Sequence, residues 1–294
     1  MKSFQMKALA VAMLGLGGLV TAGSAFAVTC PDPTANSNTG YKVPNGPWAG
    51  EFVTNATIAS GTPGLASTNC KMVVGFTATG GVVPGNARSY VTDNSPQNEP
   101  RYRARFYVDL SQLSNQFTNG SQQLVIFAAG ANNFPSTATK TNAGSAEVLL
   151  RLIGGTPPIF RFNVADFGQP SGYRVVSFNA PTPAGVNRIE FDYNTGTGST
   201  CAPGNTNGSF CAWVTDGAAA STENAPTTVG LVGPNPYNLS AASFDATGTS
   251  GWSGVVFANL GISGASGPLQ SNVAGTQLLS FDEFDSRRQT FIGQ

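Results

Sequence analysis

The chain of 294 residues balances 15 Lys+Arg against 15 Asp+Glu, is only 10% charged, and contains no histidine. The missing histidines exclude a Ser-His-Asp or Cys-His nucleophile pair, an imidazole metal site and a histidine pH switch. Zero net charge excludes a strongly basic, nucleic-acid-binding surface. With 36 glycines and 19 prolines, this is a neutral, turn-rich chain in which every charged cluster stands out.

Residues 1–27 read as an export leader. Lys2 and Lys7 open it, an apolar run follows from Ala8 to Val20, and Ala25-Phe26-Ala27 offers a small-x-small cleavage site. The run is too short for a transmembrane span of ~20 residues. No second long apolar stretch follows, so the mature chain is expected outside the cytoplasm, secreted or in the cell envelope, without a membrane helix. Residues 28–50 are Pro, Gly and Asn punctuation and read as an arm or loop rather than a strand. Residues 51–294 read as one domain, since no linker or composition shift divides them.

Within that domain, short runs rich in Val, Ile, Phe and Tyr are separated by turn residues. The expected strands are Lys71–Thr77, Tyr102–Leu110, Leu124–Ala129, Ala146–Ile153, Ile159–Ala165, Tyr173–Asn179, Val186–Tyr193, Cys211–Thr215, Val229–Val232, Gly254–Asn259 and Leu278–Phe284. Two of them alternate cleanly. In the first, Tyr102, Ala104, Phe106, Val108 and Leu110 share a face opposite Arg103, Arg105, Tyr107 and Asp109. In the second, Ile189, Phe191 and Tyr193 oppose Arg188, Glu190 and Asp192. Period 2 assigns the apolar rows to a core and the polar rows to solvent. Without a convincing helical period or a fixed repeat, the pattern is an all-β, two-sheet antiparallel sandwich.

The four cysteines, Cys30, Cys70, Cys201 and Cys211, all follow the leader. An even count in an exported chain argues for disulfides. Three pairings are open, and Cys30–Cys70 with Cys201–Cys211 is favoured because the second closes a small polar loop.

The ordering of motifs in the last third adds a resemblance. Asn187-Arg188-Ile189-Glu190-Phe191-Asp192-Tyr193 is followed by Ala212-Trp213-Val214-Thr215-Asp216-Gly217, then by Leu279-Ser280-Phe281-Asp282-Glu283-Phe284. This resembles the concanavalin A-like (LamG/jelly-roll) superfamily, which implies two stacked antiparallel sheets, one of them concave. The ending from Phe284 to Gly293 is similar to that of exported proteins from Lysobacter- and Xanthomonas-like bacteria. Relatives in the superfamily bind sugars, adhere to surfaces or cleave glycans.

A retaining glycosidase of that superfamily would carry a Glu-x-Asp-x-x-Glu face. Glu190 and Asp192 supply two of its carboxylates, but position 195 is Thr, and Arg188 makes a solvated row of alternating charge the simpler reading. Glu283 and Asp285 near Arg287 and Arg288 read as a surface salt-bridge cluster. Calcium is a candidate ion at Asp192, Asn194 and Asp216, which lie at strand–loop boundaries; no other cofactor is expected. Trp48, Trp252 and Tyr237 sit in Gly- or Pro-rich segments and are the candidate sugar-stacking residues, whereas Trp213 reads as core. The function expected from these readings is non-catalytic binding of a glycan or cell-surface component. A self-associating structural subunit is the alternative, and a glycoside hydrolase-like enzyme comes third.

Overall fold

The computed structural model describes residues 48–54, 57–65, 70–78, 88–93, 101–113, 117–130, 146–166, 170, 172–194, 209–217, 255, 257–266 and 275–287. Thirteen strands run through them: β1 (Trp48–Thr54), β2 (Thr57–Gly61), β3 (Lys71–Ala78), β4 (Arg88–Asp93), β5 (Arg101–Asp109), β6 (Gln123–Gly130) and β7 (Ala146–Ile153), then β8 (Ile159–Ala165), β9 (Tyr173–Asn179), β10 (Val186–Asn194), β11 (Ser209–Asp216), β12 (Phe257–Ser266) and β13 (Gly275–Arg287). There is no helix among the described residues. Accordingly, none is long and apolar enough to cross a membrane.

The strands form two antiparallel sheets in a jelly-roll-like sandwich. One is seven-stranded, in the order β1-β4-β12-β6-β7-β8-β9, and the other six-stranded, in the order β11-β10-β5-β13-β3-β2. The apolar rows of β5 and β10 face inward, as alternation predicts. Phe106, Phe191, Phe210 and Phe281 from the six-stranded sheet meet Phe127, Phe162 and Phe178 from the seven-stranded one. Phe127 is the hub: it stacks on Phe106 at 5.6 Å and meets Phe191 edge-on at 5.1 Å. A bulge between Val125 and Phe127 makes this possible. It lets the consecutive Ile126 and Phe127 both join the core while Val125 and Ala128 face outward.

Several expectations meet the structure closely: β7, β8 and β9 have the expected bounds. Three strands, β1, β2 and β4, carry no clear alternation and are additional to the expected set. Because β1 begins at Trp48, strand extends into the segment read as an arm. The strand expected at Gly254–Asn259 instead runs Phe257–Ser266, held by ladders to β4 and β6 through residues too small to announce themselves. Residues 229–232 lie outside the described residues.

The largest correction concerns the polar rows. Arg103, Arg188, Glu190 and Asp192 do not lie in solvent; each is at most 1% exposed, and Arg105, Tyr107 and Asp109 are buried too. The alternation rule assigns the row correctly but not its environment. A polar row tolerates burial when its charges satisfy one another, and the register of β5 against β10 arranges that.

Candidate functional site: an arginine–carboxylate ladder on the six-stranded sheet

Antiparallel pairing sets Arg103 opposite Asp192, Arg105 opposite Glu190 and Tyr107 opposite Arg188. Two complementary patterns, Arg-x-Arg-x-Arg on β5 and Arg-x-Glu-x-Asp on β10, therefore share one face. The side chains connect along diagonals. Arg101 grips Asp192 with two bonds, Nε to Oδ1 at 3.0 Å and Nη2 to Oδ2 at 2.6 Å. Arg103 donates Nε to Glu190 Oε1 at 2.5 Å, and its Nη1 lies 3.7 Å from Asp192 Oδ2. Arg188 closes the ladder, donating Nη2 to Glu190 Oε2 at 2.7 Å. Hydrogen bonds to the Asp192 carboxylate hold the Arg101 guanidinium above its ordinary pKa, against the opposing effect of burial.

The ladder binds three guanidiniums to two carboxylates. Its rim continues through Arg105, whose Nη2 lies 3.4 Å from Glu283 Oε2 and whose guanidinium carbon is 5.9 Å from the Tyr107 ring centre. Glu283 is the most exposed member of these ion pairs, at 37%. It occupies a bulge where β13 takes three steps, Asp282 to Asp285, against two on β5, and its φ is +51°. Asp282 fixes that bulge, accepting from its neighbour Glu283 N–H at 2.8 Å and from Leu65 N–H at 2.6 Å. Trp213, opposite Glu190 on β11, is buried as expected, but on this polar side of the sheet rather than in the cluster between the sheets. The Arg103 guanidinium carbon sits 4.8 Å over its ring.

The expected site residues distribute as follows. Glu190 and Asp192 share a face, but their oxygens are taken up by arginines, so they serve to hold guanidiniums rather than to act as an acid–nucleophile pair. Glu283 is indeed ion-paired, with Arg105 of β5; the side chains of Arg287 and Arg288 lie outside the described residues. The three candidate calcium ligands do not converge. Asn194 lies opposite Ser209 and Asp216 opposite Asn187, at opposite ends of β10, and Asp192 is committed to Arg101. Among the described residues, no group of three or more His, Cys, Asp or Glu is placed to hold a metal. Trp48 opens β1 opposite Asp93, and only its backbone is described. Tyr237, Trp252, Cys30 and Cys201 lie outside the described residues, while Cys70 and Cys211 are disulfide-bonded. Sequence reasoning passed over Arg101, Arg103, Arg105 and Tyr107 as site residues. The signal was present in the matching arginine and carboxylate alternations of β5 and β10.

No protein-family model matches the chain, and no curated protein is similar to it. Solved structures are similar in fold. The alginate lyase Aly36B, solved as a double mutant with an alginate tetrasaccharide, is 13% identical over 75% of this chain and 81% of its own, with a TM-score of 0.49. The alginate lyase vAL-1 from Chlorella virus is 11% identical over 82% and 93%, with a TM-score of 0.49. The alginate lyase from Klebsiella pneumoniae is 10% identical over 82% and 87%, with a TM-score of 0.42. The expectation of a non-catalytic, lectin-like binder, with its structural-subunit alternative, is corrected here only to this extent: the three structures just named are enzymes. The likeness is one of fold and transfers no residue roles. In this molecule, the case against chemistry had assumed a solvated charge row, and that row is the buried ladder.

Proposed function

We propose that the protein is an exported polysaccharide lyase acting on an anionic, uronate-containing glycan at the polar face of the six-stranded sheet. The observation that carries this reading is the row of arginines, Arg101, Arg103, Arg105 and Arg188, beside a phenol, Tyr107, on one sheet face. Arginine suits a planar carboxylate because its fork donates two parallel hydrogen bonds. Neutralising a uronate carboxylate makes the proton on the adjacent ring carbon removable, the step a lyase must assist.

Tyr107 is the proton carrier in this scheme. It lies two residues from Arg105 on β5, opposite Arg188 on β10 and opposite Asp282 on β13. In its ionised form the phenol takes the proton from the carbon next to the carboxylate. The electron pair of that C–H bond forms the C=C bond, the glycosidic C–O bond breaks, and the departing oxygen receives a proton from Tyr107. Water and redox partners are not consumed. The substrate approaches from the Arg105–Glu283 margin, where exposure is greatest. Export is supported by the leader and by disulfide-bonded Cys70 and Cys211, which suit an oxidising compartment.

The direct test is incubation of the chain from residue 28 with alginate, pectate and a neutral glucan, following the ultraviolet absorbance of the unsaturated product. Absorbance growth on an acidic polymer but not on the glucan is expected. No product from any uronate polymer would refute the reading.

A further inference from the structure

The other sheet carries charge of a different kind. On the outward face of β7 and β8, Arg151 and Arg161 are directly opposed, so two like charges occupy one cross-strand pair. Such neighbours stand about 5 Å apart at Cβ and destabilise a sheet when nothing offsets them. Burial, and then repulsion from Arg161, lower the Arg151 guanidinium below its ordinary pKa. Arg151 Nη1 donates to Gln123 Oε1 at 3.2 Å, a neutral partner. Arg161 Nε is buried without a hydrogen-bond partner.

A second observation adjoins the pair. Asn163, two residues beyond Arg161 on the same face, is 7% exposed, and its Oδ1 is buried without a partner. On its β9 side the face opens to solvent at Ser177, opposite Arg161, and at Val175, opposite Asn163 and 44% exposed. Paired guanidiniums and an unsatisfied amide acceptor together match a sugar acid: the carboxylate suits the arginines, and a ring hydroxyl suits Asn163.

We propose that Arg151, Arg161 and Asn163 form a second glycan site, on the opposite sheet from the ladder, which holds a carboxylate-bearing residue of an acidic polysaccharide. This rests on the reading of an anionic glycan as substrate. It assigns the site to anchoring a long polymer rather than to bond cleavage.

The test uses the chain from residue 28, wild type and R151Q/R161Q, retarded in native gels cast with alginate or with a neutral glucan. Wild type is expected to be retarded by alginate only, with retention falling as salt rises. The double variant should bind roughly tenfold more weakly, the loss of a charged hydrogen-bonding pair. Equal retention of both proteins overturns the site, whatever the turnover. Turnover of short uronate oligomers, followed in parallel, should be unchanged by the double substitution; lost turnover with unchanged retention also overturns the assignment. If neither protein turns over any uronate, the lyase reading fails separately, and the gels still decide the second site. Arg161→Gln alone should raise the melting temperature without polymer, because it removes the like-charge contact. A fall there would show that Arg161 serves the fold instead, and would overturn the proposal.

Discussion

Arg103 and Glu190 form the central rung of the ladder, Nε to Oε1 at 2.5 Å, with both side chains fully buried. Removing either charge leaves the other buried with only its second partner, Asp192 for Arg103 and Arg188 for Glu190. Glu190 also accepts from Arg188, so neutralising it leaves two buried guanidiniums short of a counter-charge. Breaking a buried pair from one side costs about 3–5 kcal/mol. Glu190→Gln should lower the urea unfolding free energy by that order. A loss below about 1 kcal/mol would place the pair in the surface class instead.

The role assigned to Tyr107 separates chemistry from structure. Tyr107→Phe keeps the ring beneath Arg105 and removes only the hydroxyl, so the unfolding midpoint should barely move. Under the lyase reading, turnover on an acidic polymer should fall by roughly 100-fold or more, the usual scale of general acid–base assistance. Steady-state kinetics on both proteins decides it: an unchanged kcat removes Tyr107 from the mechanism.

The β5 and β10 apolar rows were legible because Phe106, Phe191 and their neighbours alternate without interruption. β7, β8 and β9 were legible for a related reason, being aliphatic or aromatic runs bounded by turn residues. The polar row was legible in placement but not in depth. Alternation says which face a residue takes, not whether something covers that face. Arg103 reads the same in solvent as it does beneath a covered sheet; only the register against Asp192 and Glu190 distinguishes them. Trp213 was legible as buried but not as a neighbour of Arg103, because a tryptophan within a strand does not say which face it takes. β12 was expected too early and too short because glycines and small residues interrupt it, and Gly261 shows why they must.

Gly261 lies opposite Tyr90 on β4 with φ at +121°, a conformation open to glycine and strained for any L side chain. A Cβ built there would collide with the Ser89 carbonyl oxygen and come within 2.8 Å of Tyr90 Cα. Backbone atoms cannot swing aside as a lysine tip can. Gly261→Ala should therefore cost about 1–3 kcal/mol in strain alone, and more if β4 is pushed from β12. Thermal unfolding of the variant checks this, and an unchanged midpoint would contradict the conformation of that strand.

Asp282 provides the last prediction, because it joins two parts of the site by one carboxylate. Its Oδ1 accepts the Glu283 N–H inside the bulge, while Oδ2 accepts Leu65 N–H from the segment after β2. Asp282→Ala leaves both donors without that partner, at about 1–3 kcal/mol for a buried unsatisfied group. Asp282→Asn keeps one acceptor oxygen and should lose about half as much. The same change acts on the rim of the ladder. Glu283 reaches Arg105 only while the bulge holds its backbone at positive φ. If that geometry serves the substrate margin, Asp282→Ala should raise KM on an acidic polymer more than it lowers kcat. A kcat loss with KM unchanged would instead tie the bulge to proton transfer at Tyr107, which lies directly opposite Asp282 across the β5–β13 ladder.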